Sequence, residues 1–531
     1  MHSSLLVDEI AHTVALCSGD EATVARLARV CRAFYEPALD VLWAQTPLVL
    51  EKLLLCLPSD AVYTTRCSIH TGSSTSSPLV CGGLRRTILP LEWDRFIHHA
   101  RRVKSVKLAI LPTILASDTA HADSVHATRT CFEALRAHFN GGSIFSSLQE
   151  LSTSDLFEPW LDLLIHRRLT SFHFENENPE VLPKVLTKLA PCVPDLRILN
   201  TTLWGSGDRE EAQAHEALLA LCVNLTSLRT NCPISLSTLH GLAPASHLKT
   251  LLLTSSVLPS HSSPELPQQY MLFERLECLQ LSSSAEDLTY FLHIVSLPAI
   301  RRIELSPVIN DPEAEFAVLA ISIPHTRLLL NALAKHSSLE EIYIYLCPSI
   351  ESSDILSGDA LLVLARLRSI TCLSIPIRRV CLRPDHIVAM AAAWPRLQSL
   401  ALGAWDPRIL SADTNFHPSI CIEDLYPLAQ HCPDLRTLAV SIAGDIAPLV
   451  PFTNDESTAV HWSLQELRLQ ESCLQSGVEC TRVANFLSAV FPGARNKFLM
   501  NDRHCRSEIS AVLAQDAALA DTIYLRAEVS A

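Results

Sequence analysis

Along most of the chain, apolar residues fall into two alternating rhythms. Stretches such as 215–222 (HEALLALC), 326–336 (TRLLLNALAKH), 385–394 (DHIVAMAAAW) and 423–432 (EDLYPLAQHC) place apolar side chains at i, i+3 and i+4 or nearly so. That is the stripe of an amphipathic helix. A short apolar-x-x-apolar-x-apolar run follows within a few residues. In 435–440 (LRTLAV), Leu438 and Val440 share one face of a strand, while Thr437, Ala439 and Ser441 share the other. Pro194, Pro395 and Pro433 stand between the two rhythms, where a proline ends a helix and favours an extended start. The run begins at Val103, Leu148, Leu169, Leu196, Leu225, Leu248, Leu276, Ile300, Leu339, Ile370, Leu397, Leu435 and Leu464, which makes thirteen copies. Their spacings lie between 21 and 45 residues, with a mean of about 30. One helix and one strand cannot bury their own apolar faces, but stacked copies share a continuous core. The pattern therefore predicts an α/β chain built from strand-plus-helix repeats.

The repeat resembles the leucine-rich repeat in its looser, helix-bearing form, whose units run to roughly 20–29 residues. Three wider gaps read as insertions or a missed degenerate copy. The Asn or Cys that usually stands eight positions after the first Leu is met only at Cys347; Trp204, Pro233, Ser256 and Arg378 fill the same place elsewhere. Cys192, Cys222 and Cys432 sit at the helix end of the phrase and read as small core hydrophobes.

The N-terminal residues follow another pattern. Leu6, Ile10 and Val14 are four apart, the stripe of a first amphipathic helix over 5–16. Ser18 and Glu21 have capping-box spacing for a second, with Gly19 and Asp20 as other starts, and Val24, Leu27 and Cys31 continue an apolar face. A third helix is expected to start at Pro37 and to carry Leu39, Leu42 and Trp43. A unit of this size packs on its neighbour or on a partner.

The features DEIA, LARVCRAFYEPALDVLW and the closing Leu42-Trp43 resemble the F-box, although Leu5-Leu6-Val7 replaces the Leu-Pro that usually opens it. The segment 91–109 (LEWDRFIHHARRVKSVKLA) is similar to the stretch that follows the F-box in a large family of basidiomycete fungal F-box proteins. Trp93, Asp94, Arg95, Phe96, Ala100, Arg102 and Val103 carry that match. The expected organisation is an F-box-like helical domain over 1–50, a Ser/Thr-rich linker region over 51–90, a leucine-rich-repeat-like solenoid over 91–492 and a helical cap or tail over 493–531.

Composition narrows the function. The chain has 531 residues and a net charge of −14, which gives no support for a nucleic-acid partner. No two of the 18 cysteines form a C-x-x-C pair, so zinc-site spacing is absent. The start has no basic region of a signal peptide, and the longest uninterrupted apolar run, 387–394, is far below a membrane span. Reduced thiols in the cytoplasm or nucleus are expected. The sequence contains no phosphate-binding glycine loop, dinucleotide fingerprint or H-E-x-x-H, so no catalytic residue, metal or cofactor is expected.

The F-box resemblance implies a substrate-recognition subunit of an SCF-type cullin–RING ubiquitin ligase. Leu6, Ile10, Leu27, Val30, Leu42 and Trp43 are its candidate contacts with the Skp adaptor. The alternative is a leucine-rich-repeat scaffold with no role in ubiquitin transfer. Either would hold a protein target on the outward strand positions, among them His173, Gln280 and Arg468. Glu341, Tyr343, Tyr345, Glu304 and Arg229 are the first candidates, because exposed tyrosines make good anchors.

Overall fold

The computed structural model describes residues 8–45, 53–67, 79–108, 130–140, 142–154, 161–176, 181–203, 209–244, 247–254, 270–307, 323–345, 355–376, 380–402, 419–443, 460–461, 463–469, 477–493, 498–500, 507, 509–510 and 513. The chain forms two compact units, Met1–Leu248 and Lys249–Ala531.

The first unit opens with helices α1 (Asp8–Cys17), α2 (Glu21–Leu27) and α3 (Arg32–Gln45). Ala15, Val24, Ala28, Ala38 and Val41 make their small core, with Leu27 and Leu42 packed against it. Two expectations are corrected. The cap of α2 is Asp20, whose carboxylate accepts from the Thr23 amide at 2.8 Å, so the Ser18–Glu21 box does not form. Gly19, at φ 78°, makes the turn that brings Asp20 into place. Helix α3 starts five residues before Pro37, which lies inside it.

The stretch expected as a linker contains an antiparallel pair, β1 (Val62–Cys67) and β2 (Leu79–Leu84). Val62, Tyr63, Thr64 and Thr65 are strand formers, a local preference that outweighed the Ser/Thr-rich composition around them. Tyr63 lies across Gly83, where a Cβ would come within 2.6 Å of the ring. Residues 68–78, the centre of that expected linker, lie outside the described residues.

Helix α4 (Trp93–Ala100) leads into five parallel strands in order: β3 (Ser105–Leu108), β4 (Glu150–Ser154), β5 (Ser171–Asn176), β6 (Ile198–Leu203) and β7 (Ser227–Thr230). Register aligns Val106, Leu151, Phe172, Leu199 and Leu228 in one row, and all five are buried. Helix α5 (Leu182–Leu189) shows why the layers fit. Its buried side chains are Leu182, Val185, Leu186 and Leu189, spaced i, i+3, i+4 and i+7. Each fully buried aliphatic side chain of this kind stabilises by about 1.5–3 kcal/mol.

The second unit repeats the plan over nine parallel strands. They are β8 (Thr250–Leu253), β10 (Cys278–Ser283), β12 (Arg302–Pro307), β13 (Glu341–Ile344), β15 (Cys372–Ile375), β17 (Ser399–Leu402), β18 (Thr437–Val440), β19 (Glu466–Leu469) and β20 (Phe498–Met500). Two short parallel pairs flank them: β9 (Met271–Leu272) with β11 (Val295–Ser296), and β14 (Leu356–Ser357) with β16 (Val380–Cys381). Leu251, Leu279, Ile303, Ile342, Leu373, Leu400, Leu438 and Leu467 form one aligned, fully buried row. Helices of this unit include α6 (Ala285–Ile294), α7 (Ile323–Leu333), α8 (Pro384–Ala393), α9 (Tyr426–His431) and α10 (Gly477–Val490).

All thirteen motif-opening residues, Val103 to Leu464, are buried. A shared hydrogen-bond rule spaces the repeats: the carbonyl just before one strand accepts two successive amides from the next repeat. Arg301 O takes Glu340 N and Glu341 N, both at 2.8 Å, and Glu340 O takes Thr371 N at 2.7 Å and Cys372 N at 3.1 Å. This is the leucine-rich-repeat fold, preceded by three helices. Strand β20 is a fourteenth copy inside the stretch expected as a cap. Three residues before Phe498 the sequence has Arg495 rather than an apolar residue, so the apolar spacing does not reveal this copy. Most of the expected terminal helix, including 514–531, lies outside the described residues.

Candidate protein-interaction surfaces

The N-terminal helices present apolar side chains to solvent. Ile10 is 40% exposed and Val30 68%, and Val14, Leu16 and Tyr35 are exposed beside them in sequence. Leu27 and Leu42 are half-buried against the three-helix core. Trp43 is half-buried and stacks on His99 of α4, with ring centroids 4.9 Å apart. Leu6 lies outside the described residues. Of the six adaptor candidates, Ile10 and Val30 are the exposed ones among the described residues, and Val14, Leu16 and Tyr35 are exposed as well. The stripe read at Ile10 and Val14 faces solvent, and Ala11 and Ala15 face the core instead.

The seven residues of the 91–109 match take distinct roles. Trp93, Phe96, Ala100 and Val103 are buried, whereas Asp94 and Arg95 are exposed. Arg102 forms ion pairs with both Glu36 and Asp40, one turn apart on α3. With the Trp43–His99 stack, it ties α3 to α4 at the head of the first repeat. Burial beside His98, Arg95 and Arg102 pulls His99 down to about 4, so its ring is neutral near pH 7.

The outward strand positions of the second unit line a groove of about 640 Å³. Tyr343 and Tyr345 stand on its β13 side and Arg468 on β19; between them Cys372, Ser374, Ser399, Ala401, Thr437 and Ala439 give a floor of small side chains. Four strand steps separate the walls, roughly 19 Å at about 4.8 Å per step. An extended peptide or one helix, about 10–12 Å across, fits that width.

The charges in and beside the groove are matched internally. Arg302 reaches Glu304 at 3.3 Å and Glu341 at 3.5 Å, and its guanidinium lies 4.8 Å above the centre of the Tyr343 ring. The Tyr343 hydroxyl donates to Glu341 at 3.3 Å. Burial, then the contact with Cys372, raises the Tyr343 hydroxyl above its ordinary range, so it stays a donor. Arg468 pairs with Glu466 at 2.5 Å. Gln280 donates to Glu304 at 3.0 Å. The structure thus brings together four of the five target candidates, Glu304, Glu341, Tyr343 and Tyr345. Arg302, which ties three of them to one another, was missed. Arg229 lies on β7 of the first unit, in a row with Asn200 and His173. There His173 bonds to Ser171 at 3.0 Å and to Asn200 at 3.3 Å.

Four buried thiols are held protonated. Burial pushes Cys192 up to about 11, and Cys222, Cys421 and Cys432 up to about 12. Among the described residues, no three His, Cys, Asp or Glu side chains are grouped so as to hold a metal ion, and no helix is long and apolar enough to cross a membrane.

Fold and surface together define a leucine-rich-repeat fold with a helical N-terminal unit and a grooved strand face. No protein-family model and no curated protein matches the sequence. Among solved structures, an internalin from Listeria monocytogenes str. 4b F2365 is 14% identical, over 64% of this chain and 79% of that one, with a TM-score of 0.34. A leucine-rich-repeat protein of Leptospira interrogans is also 14% identical, over 75% of this chain and 85% of that one, with a TM-score of 0.35. A structure of the yeast Rad7 and Elc1 complex gives 14% identity over 62% of this chain and 64% of that one, with a TM-score of 0.25.

Proposed function

We propose that this chain is the target-recognition subunit of an SCF-type cullin–RING ubiquitin ligase. Helices α1–α3 dock on the Skp adaptor, and the strand face of the second unit holds the target protein. The observation that carries the reading is the apolar surface left by a closed three-helix core. Alanines and Val24 and Val41 fill that core, while Ile10 and Val30 remain in water. Exposed aliphatic side chains on a small helical unit mark a docking surface. The F-box resemblance supplies the kind of partner. The chemistry is positional: the chain holds its target beside a ubiquitin-loaded enzyme and raises the effective concentration of the reacting groups. It works in the cytoplasm or nucleus. The scaffold reading, without ubiquitin transfer, is favoured by the missing Leu-Pro at the start of the motif.

The test is co-purification of the full chain with a fungal Skp adaptor, beside an Ile10→Asp/Val30→Asp double variant. These two positions are chosen because Leu27, Leu42 and Trp43 also hold the fold. Capture by the wild type and loss in a folded double variant support the ligase reading. A folded wild type that captures no adaptor leaves the scaffold.

A further inference from the structure

The first unit carries a separate groove of about 530 Å³ along the edge where its parallel strands begin. Its wall is laid down by four consecutive repeats. Gln149 precedes β4, Thr170 precedes β5, Arg197 precedes β6 and Thr226 precedes β7. Arg168, Pro194, Asp195, Asn224 and His247 join them from the turns that lead into strands.

Much of the neutral hydrogen-bonding capacity here is already used. The Thr170 and Thr226 hydroxyls donate to the carbonyls of Gln149 and Arg197 at 3.1 and 3.0 Å, and the backbone amides of Thr170, Arg197 and Thr226 donate along the same ladder. The Asn224 amide donates to the Pro194 carbonyl at 2.7 Å. Charge is what remains unmatched. Arg168 and Arg197 are exposed, and neither guanidinium has an ion-pair partner among the described residues. Asp195 is the only acid in the lining, and His247 adds a further base. The second unit's groove differs, because the arginine in its lining, Arg468, is paired with Glu466. An unmatched basic groove in a chain of net charge −14 is a local departure from the whole.

We propose that this groove binds an extended, carboxylate-rich segment of a partner protein, with Arg168 and Arg197 each gripping one acidic side chain. A guanidinium presents parallel donors that match a carboxylate in bidentate geometry. The two arginines come from neighbouring repeats and stand two residues out of register, Thr170 facing Arg197, a diagonal of roughly 7–8 Å; alternate side chains of an extended peptide recur about every 6.6–7 Å. Long arginine side chains span that difference. Nucleic acid is the poorer fit, since a phosphate backbone is held by a run of cations and this lining has two arginines beside Asp195. The inference stands whether or not the chain docks on an adaptor.

The test is fluorescence anisotropy on the full chain with a labelled peptide alternating Glu and Gly, beside its Gln–Gly counterpart. The Glu peptide is expected to bind roughly tenfold tighter, with an affinity that falls as salt rises. Arg168→Glu/Arg197→Glu is expected to lose that preference, while Arg468→Gln in the other groove retains it. Both substituted arginines are exposed, and Arg168→Gln and Arg197→Gln serve as milder variants if the charge reversal unfolds the chain. Equal binding of the two peptides overturns the proposal. So does undiminished binding by the double variant, no binding of the Glu peptide at all, or tighter binding of a single-stranded oligonucleotide.

Discussion

Trp394→Ala tests the claim that each repeat is held by its neighbours. Trp394 follows the C-terminus of α8 and is fully buried. Its indole Nε1 donates to Leu364 O, 3.3 Å away in the preceding repeat, and its own carbonyl accepts from Cys432 Sγ at 3.4 Å in the following one. An indole buries about 200 Å². At about 25 cal/mol per Å² that is roughly 5 kcal/mol. A compact unfolded chain already hides part of this area, which trims the figure to about 3–4 kcal/mol. The cavity left behind adds to it, and measured Trp→Ala losses run about 3–5 kcal/mol. A loss of about 4 kcal/mol lowers amide protection roughly 10³-fold where opening passes through this core. In a stack governed by nearest neighbours, that loss stays local. Hydrogen exchange read by mass spectrometry should show it at β15 and β17, while β8 and β10 retain protection. Trp394→Phe should recover most of the packing and lose about 1–2 kcal/mol, part of it from the missing donor. A change below roughly tenfold at β15 and β17, or an equal loss at β8 and β10, would refute the reasoning.

Three further outcomes are expected. Gly358→Ala places a Cβ into the imidazole of His386, which is buried and bonded to Asp359 at 3.1 Å. Overpacking of this kind costs about 1–3 kcal/mol, and thermal melts of Gly358→Ala, His386→Ala and the double variant should be less than additive. His215 is fully buried beside Thr201, and burial pulls it down to about 4. Its folded value lies below the unfolded value of about 6.5, so its contribution is complete above that pH and fades as pH falls towards 4. Moving from pH 7 to pH 5 should therefore cost about 2 kcal/mol more in the wild type than in His215→Leu, read from urea midpoints at both pH values. Asp20→Ala removes the cap of α2 and should cost about 0.5–2 kcal/mol, seen as faster exchange at the Thr23 amide, with no change at β13.

The repeats were legible because their apolar spacing reports a single geometric fact: Leu at the turn, then two inward strand positions. Every one of those opening residues is buried where the spacing put it. The fourteenth copy was missed for the same reason that the others were found, since Arg495 broke the pattern that served as the signal. The β1–β2 pair was missed because flanking Ser, Thr and Gly outweighed a short run of strand formers. The start of α2 was ambiguous in sequence because Ser18, Gly19 and Asp20 are all acceptable at a helix start. The φ of 78° at Gly19 decides among them, and no composition rule reports that angle.

The surfaces were legible only in part, and the reason is physical. Alternation along a strand says which side chains leave the core, so Glu304, Glu341, Tyr343 and Tyr345 could be named as outward positions. It does not say which repeats align them. Register sets Arg302 beside Glu341 and Glu304 beside Tyr343, and that alignment turns separate polar residues into one self-neutralised wall. The first unit's edge groove makes the converse point. Arg168 and Arg197 are 29 residues apart and unremarkable singly. They become a feature when stacking puts both in one lining, where neither forms an ion pair among the described residues although Asp195 shares it. In a repeat protein, then, the core is written within each repeat, whereas the binding chemistry is written between repeats. A charge acts there through its neighbours across the ladder, and one copy of the motif cannot show who they are.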